Sequence, residues 1–196
     1  MWLRIALDHE AAAATARANL LVATGDGADA DQERATRLEE ETRAGLVTIS
    51  ACAFAIEAMA LSAGALAGIS GVGSATSSAK RACEVLKQCF DLPQFSEWRK
   101  VVIMIFKGRN DAVHPDAGLR DALPHPALNA SVPWPAHVYR YDNARASVDV
   151  GLHTALETAR NPKARHGKAF LKRVAAWMVL AEELRDYRAA LRRPPA

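Results

Sequence analysis

The chain has 196 residues; 41 are alanine, 12 are aromatic and 24% are charged. Alanine is by far the commonest of its apolar residues, which suits closely packed helices, and the composition excludes collagen-like, disulfide-framework, low-complexity and wholly disordered classes. The net charge of +3 is too mild to indicate nucleic-acid binding by itself, but it is uneven: residues 160–196 carry ten Lys/Arg against three Asp/Glu, and residues 26–41 hold seven acids and two arginines.

In chain order, residues 8–23 predict a first, alanine-rich helix, broken by the Gly/Asp stretch from Gly25 to Asp31. From Gln32 to Gly64 only Gly45 interrupts a helical pattern. Leu38, Ile49, Phe54, Ile56, Leu61 and Leu66 give this second helix an apolar side, and its polar start predicts an exposed beginning and a buried continuation. Residues 44–79 contain a single charge, Glu57, among Ala, Gly and Ser. The expectation is a buried helix and a small-residue loop, with no membrane association. Thr76 or Ser77 is placed to cap a third helix reaching about Phe90, with Cys83, Leu86 and Phe90 on one face.

Pro93 reopens the chain, and Trp98, Val101, Val102, Ile105 and Phe106 follow helical spacing into residues 107–116. Five of the nine prolines (Pro115, Pro124, Pro126, Pro133 and Pro135) then mark an irregular connection, long for a small domain and of a kind that often carries function. Asp142 is placed as the N-cap of a fifth helix through Val148, Leu152 and Leu156, which Asn161–Pro162 ends. The last helix runs from about Lys163 to Arg192 with Phe170, Val174, Trp177, Ala181 and Leu184 at a/d-like spacing; its basic character reads most simply as a solvated face. The expected fold is an all-α helical bundle in a single domain over residues 1–196, without internal repeats.

Cys52, Cys83 and Cys89 form no CxxC and no zinc-finger spacing, which fits a reducing compartment. Asp8 and Glu10 stand where a signal peptide needs its apolar stretch, so a cytoplasmic location is expected. HExxH, Walker A, GxSxG and complete GxGxxG signatures are absent. Ser77 and Lys80 make an SxxK without its companion motifs, and a helix start with an exposed lysine accounts for it. His9, His125, His137, His153 and His166 are scattered, with no pair at i,i+3 or i,i+4, so neither a metal nor another cofactor is expected.

The informative stretch is Lys107-Gly108-Arg109-Asn110-Asp111-Ala112-Val113-His114-Pro115-Asp116. Arg-x4-His spacing occurs three times, at Arg4/His9, Arg109/His114 and Arg120/His125. Only the middle one has Asn after the Arg and Pro after the His, and only it ends a strongly apolar helix. This RNxxxHP segment resembles the signature of the HEPN (higher eukaryotes and prokaryotes nucleotide-binding) superfamily, Arg-x(4–6)-His with a polar residue after the Arg. The resemblance is strongest over residues 95–116. It is weaker around Phe54-Ala55-Ile56-Glu57-Ala58 and Tyr141-Asp142-Asn143-Ala144.

The resemblance implies an α-helical bundle and a metal-independent endoribonuclease acting as a toxin or in antiviral defence. It also implies a site formed where two protomers of a homodimer pair. RNA is then the substrate, and an antitoxin or other protein is the expected partner. The chemistry suits these residue types. A histidine titrates near neutrality and can move the proton of a ribose 2′-OH attacking its neighbouring phosphate, and an arginine stays charged and can clamp the phosphate oxygens. The products would be a 2′,3′-cyclic phosphate and a 5′-OH.

On this reading His114 is the general acid/base, Arg109 the phosphate clamp and Asn110 a positioning residue. Lys107 contacts backbone phosphate. Glu57 either lies near the site or is a buried carboxylate satisfied by Arg109 or Lys107. Residues five apart lie about 140° apart around an ideal helix, so Arg109 and His114 share a site only if the helix bends near Gly108 or two chains combine. Asp116 replaces the Tyr of a His-x-Tyr variant that partner nucleotidyltransferases modify, so that regulation is not expected. The alternative is a non-catalytic helical binding or scaffolding module in which Arg109, Asn110 and His114 serve structure.

Overall fold

The computed structural model describes residues 1–23, 27–69, 77–113, 121–125, 128 and 130–192. Helix α1, Trp2–Val22, begins six residues before the expected start, because the stripe Leu3, Ala6, Leu7, Glu10, Ala13, Arg17 and Leu20 already faces inward from its first turn. Helix α2, Ala28–Leu66, is a single 39-residue element. Its first turns are solvated and laced by local pairs such as Arg37–Glu40. From Glu41 onward its buried positions (Thr48, Ile49, Cys52, Ile56, Ala60 and Ala63 among them) form the axis of the bundle, against which α1 and the later helices pack.

Alanines and glycines let the neighbouring backbones come close. A Cβ on Gly45 would lie 1.7 Å from the carbonyl oxygen of Tyr139, so only glycine fits where that segment passes over α2. By length and composition α2 is also apolar enough to cross a membrane, and 56% of its most apolar window is buried within the protein.

Helix α3, Ser78–Cys89, has Ser77 at its N-cap position without a side-chain capping bond; Thr76, the other expected cap, lies outside the described residues. Helix α4, Phe95–Val113, continues through Gly108 without interruption, so Lys107, Arg109 and Asn110 all sit on regular helix. Trp98 Nε1 donates to Thr154 Oγ1 at 2.8 Å and fixes α4 to the sixth helix.

The proline-rich connection is more ordered than its composition indicates. Strands β1, Leu123–His125, and β2, Ala130–Val132, pair antiparallel with Leu123 opposite Val132 and His125 opposite Ala130. Helix α5, Trp134–Val138, follows directly, with Pro135 in its first turn where its missing N–H is not needed. Val132, Trp134 and Tyr139 are buried, so this segment belongs to the core rather than hanging from it.

Helix α6, Tyr141–Arg160, has Arg140 rather than Asp142 at its N-cap position. The Asp142 carboxylate faces Arg17 at 3.4 Å and Arg140 at 3.6 Å instead, which corrects the capping expectation. A 3₁₀ turn, Ala164–His166, leads through Gly167 (φ +84°) into α7, Gly167–Leu191. Phe170, Val174, Ala181 and Leu184 are buried as the spacing predicts, and Trp177 is half-buried. Seven α-helices and one two-stranded sheet among the described residues make the fold all-α.

Two buried ion-pair clusters cross-link the helices. Glu41, fully buried, accepts from Arg17 Nη2 at 2.6 Å and from the Tyr141 backbone N–H at 2.6 Å. Glu10 accepts from Arg188 Nη2 at 2.7 Å and from Arg192 Nη2 at 2.6 Å. Several C-terminal cations are thus paired within the chain, whereas Lys168, Lys172 and Arg173 are exposed and carry the solvated face.

Candidate functional site

The last two turns of α4 present two faces. On one, Phe106 is buried in the core and Arg109 turns toward α2 and α3. Arg109 Nη1 donates to Glu57 Oε2 at 2.8 Å, and Nη2 donates to Ser78 Oγ at 3.0 Å. Asn110 Oδ1 accepts from both Nε, at 3.3 Å, and Nη2, at 3.1 Å. The guanidinium carbon stands 4.7 Å from the Phe106 ring centre and 5.3 Å from that of Phe54. The Arg109 side chain is only 13% exposed and Glu57 26%, so the pair is partly desolvated. A guanidinium has five N–H donors, and four contacts to its own chain engage most of them.

The Nε/Nη2 edge, where Asn110 sits, is the fork that takes a carboxylate or phosphate in bidentate fashion. Asn110 is exposed, whereas Glu57 holds Nη1 from the partly buried side. Glu57 and Ser78 also line a groove between α2 and α3, of about 270 Å³, together with Arg81, Gly64 and Ile69. Ser78, Arg81, Ala82 and Val85 share one face of α3 at helical spacing, which is why a serine and an arginine three apart reach the same groove.

The opposite face carries Lys107. It is exposed and opens into a different cleft, of about 480 Å³, whose walls include Asp111, His137, Arg140 and Asn143. Tyr139, 1% exposed, donates its hydroxyl proton to the Gly108 carbonyl at 2.9 Å and so pins this part of α4 to the α5–α6 junction. The predicted residues therefore divide. Arg109, Asn110 and Glu57 meet, with Arg109 rather than Lys107 satisfying Glu57. Lys107 faces another space, and His114 lies outside the described residues.

Sequence reasoning missed Ser78 and Phe54 beside Arg109, Arg81 in the adjoining groove, and His137 and Arg140 in the cleft that Lys107 enters. The Ser78/Arg81 spacing was a readable signal. The other three depend on which helices pack together.

No thiol nucleophile is poised near either face. The three cysteines are fully buried, and burial pushes the Cys83 thiol up to about 12, the Cys89 thiol up to about 11 and the Cys52 thiol higher still. Among the described residues no group of three or more His, Cys, Asp and Glu side chains converges as a metal site. No family model matches the chain, and no curated protein or solved structure matches it either.

Proposed function

We propose that the protein is a HEPN-type, metal-independent endoribonuclease, acting on RNA in the cytoplasm in a toxin–antitoxin or antiviral setting. The observation that carries this reading is Arg109 of the RNxxxHP segment. It is oriented by Glu57 and Ser78, two residues that line a groove also containing Arg81. In this reading Arg109 presents its Nε/Nη2 fork to the scissile phosphate once Asn110 gives way, and it stabilises the charge that builds there. His114 moves the 2′-OH proton, and a homodimer brings the two chains' segments together. An antitoxin or another protein would restrain the activity.

The test is incubation of the purified protein with structured RNA in EDTA. The expected result is cleavage leaving 2′,3′-cyclic phosphate ends, abolished by His114→Ala in a variant whose helical circular dichroism is unchanged. Cleavage that survives His114→Ala at full rate overturns it.

A second reading, a non-catalytic helical binding or scaffolding module, is favoured by one specific observation: the chain itself engages most of the Arg109 donors. On that reading no RNA is cut, and Arg109→Ala lowers stability without altering any RNA.

A further inference from the structure

The cleft on the Lys107 side of α4 is walled by α2, α4, α5 and α6. Its floor is apolar: Ile49, Ile105 and Trp134 are all buried. Its rim carries Lys107, His137 and Arg140, with Asp111 as an acidic residue in the same lining.

Each basic group has capacity to spare. His137 Nδ1 lies 2.8 Å from the Pro124 carbonyl, which can only accept, so Nδ1 carries the proton. Nε2 is then the ring nitrogen left over, and it makes no hydrogen bond among the described residues. The Arg140 side chain is 19% exposed and donates from Nη1 to the His137 carbonyl at 2.7 Å. Its Nε is buried without a hydrogen-bond partner, with Asp142 Oδ2 3.6 Å away, and its Nη2 donates to no described residue. Lys107 makes no ion pair among the described residues. The space, about 480 Å³, is of the size that takes a small organic ligand.

We propose that this cleft binds a phosphate monoester that carries an aromatic or apolar group. Lys107 and Arg140 hold the phosphate, His137 Nε2 is left to accept from an O–H or N–H of the ligand, and the Ile49–Ile105–Trp134 floor takes the apolar part. Lys107 and Arg140 supply the positive charge for the phosphate, offset in part by Asp142 beside Arg140 and by Asp111 in the lining, and the held arginine provides planar donors where the lysine provides a mobile charge. Tyr139, bonded to the Gly108 carbonyl, keeps α4 and the α5–α6 junction at a fixed separation, so the cleft is preformed. The phosphate can come from a free small ester or from the phosphorylated end of an RNA strand. The site stands on its own geometry and does not rest on the ribonuclease reading.

The experiment is a calorimetric or amide-NMR titration of the full chain with phenyl phosphate, and separately with a short 5′-phosphorylated oligoribonucleotide. Inorganic phosphate, phenol and the 5′-hydroxyl oligonucleotide serve as controls. The expected result is saturable binding of at least one phosphorylated probe, tighter than its control. Lys107→Ala, which removes one charge from an exposed position, should weaken it about tenfold or more. Ala146→Phe, which fills the cleft from an exposed lining position and leaves every charge in place, should abolish it. Preference for phenyl phosphate identifies a small-molecule site, and preference for the 5′-phosphorylated strand identifies a strand-end site. Absence of saturable binding by both probes, or binding that both variants retain, overturns the proposal. RNA cleavage is not a readout, so its presence or absence leaves this result unaffected.

Discussion

Arg109 and Lys107 are two residues apart on one helix, and they differ in almost everything except charge. Arg109 is largely buried, stacked near Phe106 and Phe54, and tied to Glu57 on α2 and Ser78 on α3. Lys107, about 200° around the helix, is exposed at the rim of a cleft and pairs with nothing described. The difference comes from the neighbours. On the Arg109 side, α2 and α3 bring a carboxylate and a hydroxyl within reach. On the Lys107 side, Gly108 and the small side chains Ala146 and Ser147 leave a space, and Tyr139 holds it open. One face thus orients its cation, and the other leaves its cation available. Orientation suits a group that must meet one phosphate at a set angle, whereas availability suits a group that must accept whatever enters.

The largest effect on this arrangement should come from neither cation. Glu41 anchors the α5–α6 junction, and with it the far wall of the Lys107 cleft, through Arg17 and the Tyr141 N–H. Glu41→Ala leaves Arg17 buried without its main partner and should cost about 3–5 kcal/mol in urea unfolding. A loss below 1 kcal/mol would mean the wall is held by packing alone. Arg109→Ala comes next, at about 2 kcal/mol, because it removes charge-assisted bonds to a partly exposed pair and the ring contacts with Phe54 and Phe106. Arg109→Lys should recover only part, since an ammonium cannot serve Glu57, Ser78 and Asn110 at once in one plane. Full recovery would show that charge alone matters on that face.

Much of this was legible from the sequence. The 39-residue α2 is visible as a run broken only by Gly45, and Ile49 and Ile56 are buried as its spacing predicts, but Phe54, Leu61 and Leu66, expected on the same apolar side, are exposed. The segment around Arg109 stood out by its neighbours Asn110 and Pro115. What the sequence hid was pairing over distance. Glu57 and Arg109 are 52 residues apart, and nothing local chooses Arg109 over Lys107 as the partner of Glu57. Asp142 looked like a cap because it opens a helix, but Arg17, on a helix 125 residues earlier, draws its carboxylate away. The proline-rich stretch hid α5 for a different reason. Five residues are too few to show a period, although Pro135 just inside its start was a helix-start signal of its own.

His125, in β1, gives the stability of the folded chain a pH dependence. It is 1% exposed, and its Nε2 lies 3.4 Å from Arg17 Nη2, which can only donate. Burial and the Arg17 charge hold its pKa below the ordinary value. The unfolded chain therefore takes up the proton first on acidification. The stabilisation is complete above about pH 6.5 and is lost as pH falls toward the folded-state value. Unfolding midpoints should drop between about pH 7 and pH 5, and His125→Gln, which cannot titrate, should flatten that part of the slope. A slope unchanged by the substitution assigns the pH dependence to other groups.

The smallest expected effect tests the comparison most directly. Lys107→Ala removes an exposed side chain with no described partner, so stability should change by less than about 0.5 kcal/mol. A loss as large as that of Arg109→Ala would mean the two faces are equally structural and the division between them is wrong. The same variant separates the roles of the two cations if RNA is cut. A backbone contact by Lys107 releases bound counterions, so its loss should lower the slope of log affinity against log salt by about 0.7 for a single strand. KM should rise while kcat holds, because the lysine binds substrate and transition state alike. Arg109→Ala should instead reduce kcat, since its fork serves the charge that builds only as the phosphate is attacked. If both variants change KM alone, the orientation of Arg109 by Glu57 and Ser78 serves the bundle rather than chemistry.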